Sequence, residues 1–172
     1  EKFKDNVFYH VMQADFRGRI YSVTAHFNPQ GNDLARALHL FEKPSKIESY
    51  KELEYLKLHG ANLQGITGTF YNRVNLADTY FKANKETTYE MSFNGEHRYT
   101  VTPEIQGKNL FELVDEDPLE HIDLWANEPK PFQFLAYCFE RAAYQRHIIK
   151  FSEAKYKSHL PIYLDGTNNA YQ

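Results

Sequence analysis

The sequence predicts an α+β fold: antiparallel strands that frame a mainly helical middle and carry one further β-hairpin. Three observations predict it. Alternating apolar and polar residues occupy 7–25 and again 88–102, a period of two that belongs to strands. Between and beyond them, apolar residues recur at helical spacing, as at Leu34, Ala37, Leu38 and Phe41, or fill a segment nearly all round, as after Pro131. Last, Leu160, Pro161, Ile162, Tyr163 and Leu164 run straight into Asp165 and Gly166, the pattern of a short strand that delivers a carboxylate at its tip. An ordinary Asp-Gly turn accounts for the same residues.

The first alternating region divides into two strands. Val7, Tyr9 and Val11 alternate with Phe8, His10 and Met12, and Ile20, Ser22 and Thr24 alternate with Tyr21 and Val23. Asp15, Phe16, Arg17, Gly18 and Arg19 lie at the break between them. A glycine between two arginines lets backbone approach a ligand closely, and two guanidinium groups can grip phosphate bidentately. A hairpin turn with solvated arginines is the plain alternative.

Asn28, Pro29, Gln30, Gly31, Asn32 and Asp33 form a loop of turn residues that ends in an N-cap. The spacing predicts a helix from Leu34 to Phe41, ended by Pro44. Ser49 and Glu52 have capping-box spacing, so a second helix starts near Tyr50, with Leu53, Leu56 and Gly60 on its inner stripe. His59, near its end, reads as a packed or capping histidine rather than a ligand. Residues 72–86 form a third helix with Leu76, Tyr80 and Phe81. Asn94-Gly95, between alternating runs, predicts a β-hairpin of 88–93 and 96–102.

Six acids cluster in 112–123: Glu112, Asp115, Glu116, Asp117, Glu120 and Asp123. Asp117, Pro118 and Glu120 have the spacing of N-cap, N1 and N3 of a short helix, so a capped, solvated face explains them without a metal. Trp125 anchors this helix to the core. The helix opened by Pro131 holds Glu140 and Arg141, a charged pair that reads as partnered and structural. A loop with Lys150, Lys155 and Lys157 leads back to the run that ends at Asp165.

Composition narrows the function classes. The 172 residues suffice for one domain with a real core, and 42% apolar with 25% charged residues is ordinary globular chemistry. The formal net charge of −3 supplies no global basic field, so contact with nucleic acid has to come from a local patch. Cys138 is the single cysteine, which excludes an intrachain disulfide and implies a reducing compartment. No apolar run approaches the roughly 20 residues of a membrane span. Without an initiator Met or a signal pattern at the start, and with an abrupt stop after Asp165, the chain reads as a piece of a longer protein. There are no repeats, P-loop, dinucleotide glycines, zinc spacing or nucleophile elbow.

Four blocks, in order and across almost the whole chain, carry a resemblance. They are Asp15-Phe16-Arg17-Gly18-Arg19-Ile20-Tyr21 with Phe27-Asn28-Pro29-Gln30-Gly31-Asn32-Asp33; Leu56-Lys57-Leu58-His59-Gly60-Ala61-Asn62; Pro131 through Glu140; and Leu160-Pro161 with Leu164-Asp165-Gly166-Thr167 and Gln172. Together they resemble the single-subunit, phage-type and mitochondrial DNA-directed RNA polymerases. Residues 1–172 would then be a partial palm-proximal region of one catalytic domain, with 88–102 an inserted hairpin.

The resemblance implies template-dependent nucleotidyl transfer from ribonucleoside triphosphates, with a DNA template and nascent RNA as partners beside the rest of the same polymerase chain. It implies two Mg²⁺ ions, with Asp165 as catalytic metal ligand and the Gly166 carbonyl as a further one. It places Arg17, Gly18 and Arg19 against nucleic acid. Thr167, Asn168, Asn169, Ala170 and Tyr171 are bulkier and more polar than the family's usual small residues, which resembles the polymerases of mitochondrial linear plasmids. The expected compartment is the mitochondrion, with phage-infected cytoplasm as the alternative. A family A-like DNA polymerase and a non-catalytic nucleic-acid-binding module are the competing readings. The first hairpin and the final strand are expected to share one antiparallel sheet.

Overall fold

The computed structural model describes residues 6–82, 90–93, 97–100, 108–151 and 155–163. Among them the chain is mixed α and β, with three two-stranded antiparallel ladders and five α-helices. Strand β1 (Met12–Ala14) pairs with β2 (Ile20–Ser22), β3 (Ser45–Ile47) with the late strand β6 (Tyr156–Ser158), and β4 (Glu90–Phe93) with β5 (His97–Thr100). The helices are α1 (Asp33–Ala37), α2 (Tyr50–Leu63), α3 (Phe70–Lys82), α4 (Leu110–Glu116) and α5 (Pro131–Phe151). None of the described helices is long and apolar enough to cross a membrane.

Helix α5 is the centre of the core. Phe134, Tyr137, Cys138 and Ala142 are buried with Leu53, Leu56 and Leu63 of α2, Phe111 and Val114 of α4, and Ile47 and Trp125. Its composition predicts burial all round. Instead one stripe is covered, Gln133, Phe134, Tyr137, Cys138, Arg141, Ala142 and Gln145, at spacings of three and four. Phe132, Phe139 and Ile149 stay exposed. Glu140 hydrogen-bonds Tyr156 of β6, and Arg141 stacks its guanidinium 5.4 Å from the Phe111 ring centroid. Each charge thus has a neighbour within the fold, Tyr156 for Glu140 and Phe111 for Arg141.

Helix α2 forms where its capping box predicts. The Ser49 amide donates to Glu52 Oε2 at 2.8 Å, and the Ser49 side chain caps in return. Its buried surface is wider than a stripe, taking in Lys57, Leu58, His59 and Ala61 beside Leu53, Leu56 and Gly60. Gly60 is where α2 meets α5. A Cβ there would lie 2.2 Å from Cζ of Tyr137 and 2.6 Å from its hydroxyl. Helix α3 starts earlier than predicted, with its Asn72 amide on Thr69 Oγ1 at 3.3 Å, and buries Val74 and Ala77.

Three expectations need correction. Helix α1 stops at Ala37 instead of reaching Phe41, and Leu34, Leu38 and Phe41 are exposed while Ala35 and His39 face inward. The cause is tertiary. His39 stacks on Phe27 at 4.2 Å, its Nδ1 takes the Ala35 carbonyl at 2.5 Å, and its Nε2 meets His10 Nε2 at 2.9 Å. With Nδ1 donating to Ala35, His39 Nε2 is the acceptor and His10 the donor. The strand expected at 160–164 is displaced. Pairing occurs at 156–158, and 160–163 are not strand, because Pro161 has no N–H to offer a ladder. The returning strand also joins β3 rather than the first hairpin. The hairpin read from Asn94-Gly95 is present as β4 and β5, with its turn outside the described residues.

Four of the six acids of 112–123 act as caps or ion-pair partners. Glu112 completes a capping box with Asn109 on α4, and Asp117 Oδ1 accepts the Leu119 and Glu120 amides at 3.0 and 2.9 Å. Asp115 pairs with Arg146, and Glu116 with Lys108. A turn and one 3₁₀ segment, Ile122–Leu124, replace the predicted short helix. Buried Trp125 anchors it, with Nε1 donating to the Pro118 carbonyl at 2.8 Å.

The Gly60–Tyr137 approach generates a test. Gly60→Ala is expected to cost about 3 kcal/mol, the upper range for overpacking, measured by chemical denaturation. An unchanged midpoint would contradict so close a crossing.

Candidate functional site

Two places carry the expected function: the turn between β1 and β2, and the approach to Asp165. In the turn, Asp15 is the organiser. Its Oδ1 accepts the amides of Arg17 at 2.8 Å and Arg19 at 2.9 Å. Its own amide donates to the Arg19 carbonyl at 2.8 Å, and the Gly18 amide donates to the Asp15 carbonyl at 3.0 Å. An aspartate that accepts amides two and four residues on is a local turn template. Sequence reasoning misses this role, although Asp preceding x-x-Gly-Arg is its signal.

Gly18 has φ +76°, a left-handed conformation that favours glycine, and a Cβ there would meet nothing within 4 Å. The position is strained for other residues and open to an approaching ligand. Arg17 and Arg19 are exposed on either side, with the Arg17 guanidinium 5.2 Å from the ring of exposed Phe16. Two cations beside an open glycine and an exposed ring form a local basic and aromatic patch on an acidic chain.

Gln30 fastens this hairpin to the loop that opens α1. Its side chain accepts the Ser22 amide at 2.8 Å and donates to the Ile20 carbonyl at 2.8 Å, so it acts as a strand partner for β2. Asn28 ties the same loop back, donating to the Thr24 carbonyl at 2.7 Å and accepting the Gln30 amide at 2.9 Å. Asn32 then caps α1 by accepting the Ala35 amide. That frees Asp33, which the sequence marks as the end of a capping loop. Asp33 reaches α5, accepting the amides of Phe132 at 2.7 Å and Gln133 at 3.3 Å and the Gln133 side-chain amide at 2.9 Å. A carboxylate here satisfies orphan donors and complements the helix dipole.

The approach to Asp165 is clamped from several sides. After β6, the Phe41 amide donates to the His159 carbonyl at 2.9 Å and His159 Nδ1 bonds the Phe41 carbonyl at 2.6 Å. Pro161 is buried. Tyr163 lies against α1 and α2, with Oη donating to the Arg36 carbonyl at 3.4 Å and the ring 6.3 Å from that of His59. Asp165 and Gly166 themselves lie outside the described residues.

His59 is 2% exposed, between the rings of Tyr137 and Tyr163. Burial first, and the Lys130 charge second, push its pKa down to about 4, so it is a neutral imidazole near pH 7. Its Nδ1 is buried without a hydrogen-bond partner among the described residues. His59 is thus a packed histidine, as the sequence predicts, and its place beside Tyr163 is a tertiary feature. Neither Arg36 nor Tyr163 carries a site signal in the sequence, because 127 residues separate them.

As donors, the Asp165 carboxylate and Gly166 carbonyl are hard oxygens of the kind Mg²⁺ prefers. Among the described residues, no three His, Cys, Asp or Glu side chains gather as an alternative metal site.

Comparison with known proteins assigns the family. Residues 46–172 match the family described as DNA-dependent RNA polymerase, well over half the chain, and the chain belongs to that family. It is 31% identical to the mitochondrial DNA-directed RNA polymerase of Neurospora crassa, covering 99% of this chain and 10% of that one. It is 32% identical to the T7 RNA polymerase of Escherichia phage T7, covering 92% of this chain and 14% of the phage protein. Against the Homo sapiens mitochondrial DNA-directed RNA polymerase the identity is 30%, with 100% and 12% covered. The chain therefore spans between 10% and 14% of the length of these curated relatives.

His59 makes stability depend on pH. Its folded pKa lies below the unfolded value of 6.5, so the unfolded state binds the proton first as pH falls. Stability is expected to fall by up to about 3 kcal/mol between the unfolded and folded values, that is, from pH ~6.5 towards pH ~4. Denaturation midpoints across that window check it, and His59→Gln should flatten this part of the curve.

Proposed function

We propose that this chain is the part of a DNA-directed RNA polymerase that supplies one metal-binding carboxylate, Asp165, together with a phosphate-gripping turn, Arg17-Gly18-Arg19. The carrying observation is the family match over 46–172, which includes Asp165 within the Leu164-Asp165-Gly166-Thr167 block. The substrates are ribonucleoside triphosphates, and the partners are a DNA template and the nascent RNA. Matches to RNA polymerases favour this over a DNA polymerase or a non-catalytic binding module.

In this reading Asp165 and the Gly166 carbonyl hold Mg²⁺, with further ligands from outside this chain. The chemistry that magnesium supplies when bound is activation of the 3′ hydroxyl and neutralisation of the pyrophosphate leaving group. The protein's part is placement. Tyr163, set between α1 and α2, gives the segment before Asp165 a fixed seat, and an error of about 1 Å in such a group can cost on the order of 100-fold in rate. Arg17 and Arg19 neutralise backbone phosphates, and Gly18 leaves the room for close approach. The mitochondrion is the compartment we propose, on the fungal and human relatives. The bulkier residues after Gly166 further favour a polymerase like those of mitochondrial linear plasmids.

Two outcomes are expected in the full-length gene product. Asp165→Asn should abolish Mg²⁺-dependent RNA synthesis while circular dichroism and melting temperature stay as in the parent; near-parental synthesis would refute the assignment. Arg19→Ala should weaken binding to an RNA–DNA hybrid and lower the slope of log affinity against log salt by about 1, read by fluorescence anisotropy over a salt series.

A further inference from the structure

We infer that Arg36 is a phosphate-binding residue of the same site, a role that rests on the polymerase reading above and extends it beyond Arg17 and Arg19. Arg36 lies in α1 and is half-buried, with its guanidinium 5.2 Å from the ring centroid of Tyr163. Its Nε is buried and has no hydrogen-bond partner among the described residues. The ion pairs Lys46–Glu48, Lys108–Glu116 and Arg146–Asp115 do not include Arg36. The one acid in its own helix, Asp33, is committed to the N-terminus of α5.

A half-buried guanidinium without an anion is costly unless something charged completes it. Stacking on an aromatic ring fixes its plane and leaves edge N–H groups, which suit the bidentate geometry of phosphate. The place is equally specific. Two peptide units separate Tyr163 from Asp165, a reach of at most about 7 Å along the chain. The loop that opens α1 also bonds β2 through Gln30, so Arg36 belongs to the same hydrogen-bonded body as the Arg17-Gly18-Arg19 turn. A cation stacked on Tyr163, two residues before Asp165 in the chain, and tied to the basic turn is suited to bind a polyphosphate chain. That chain is either the nucleic-acid backbone or the nucleotide's triphosphate.

The test compares Arg36→Gln and Arg36→Lys with the parent in the full-length gene product. One arm titrates a short fluorescent RNA–DNA hybrid over a salt series. The other titrates a ribonucleoside triphosphate onto hybrid already bound. Arg36→Gln is expected to weaken one of the two roughly 10-fold and lower its salt slope by about 1, with the melting temperature unchanged. Arg36→Lys should regain the salt slope but not the full affinity, since an ammonium cannot match the fork. Loss in the first arm assigns the backbone phosphate, and loss in the second alone assigns the triphosphate. Unchanged affinity in both arms overturns the inference, as does a loss that Arg36→Lys and Arg36→Gln share equally together with a lowered melting temperature, which would mark Arg36 as a packing prop for Tyr163. Neither arm needs catalysis, so failure here is distinct from failure of the Asp165→Asn experiment, which decides the polymerase reading.

Discussion

The carboxylate of Asp33 on the N-terminus of α5 is the contact on which the arrangement of the site depends. It spans 99 residues from the Phe132 amide and joins the short α1 to the longest helix of the described residues. Helix α1 buries little apolar surface of its own, with Ala35 its one buried residue. Five residues cannot hold a helix in place by propensity. Charge-assisted bonds to orphan amides supply what apolar burial does not. Through α1 the same contact positions Arg36, and through the Asn28–Gln30 loop it steadies the hairpin with its arginines.

A second layer builds from Gly60 outward. The absent Cβ lets the Tyr137 ring sit on α2, and His59, one residue earlier, fills the space between Tyr137 and Tyr163. Tyr163 in turn is the last residue described before the block that holds Asp165, the metal ligand we propose. The core thus extends, ring by ring, from α5 to the segment that leads into Asp165. His59 tolerates this position only as the neutral imidazole, which is why burial lowers its pKa.

Local signals are legible wherever the bond partners are close in sequence. Ser49 and Glu52 name the start of α2 correctly because a capping box spans three residues. The turn at 15–19 is legible as a turn, and its arginines as exposed, because Gly18 and Asp15 act within five residues. Asp117 behaves as a cap for the same reason. The misses share the opposite property. Helix α1 is shorter than its apolar spacing predicts, because that spacing cannot reveal that Phe27 and His10 seize His39. The final strand lies earlier than its apolar run predicts, because its partner, β3, is more than a hundred residues away in the chain.

The sequence by itself determined the family, the order of its blocks and most helix starts, and it holds the carboxylate and the arginines that we propose for the site. Each of these is written in residue type or in spacing of a few positions. Only the tertiary structure decided which residues stand behind the site: Asp33 as cap of α5, Tyr163 seated between Arg36 and His59, and Gly60 as the point of closest helix approach. Those are pairings across 77 to 127 residues. Their energy comes from desolvation and orphan hydrogen-bonding groups that exist only once the helices have met, so no local pattern encodes them.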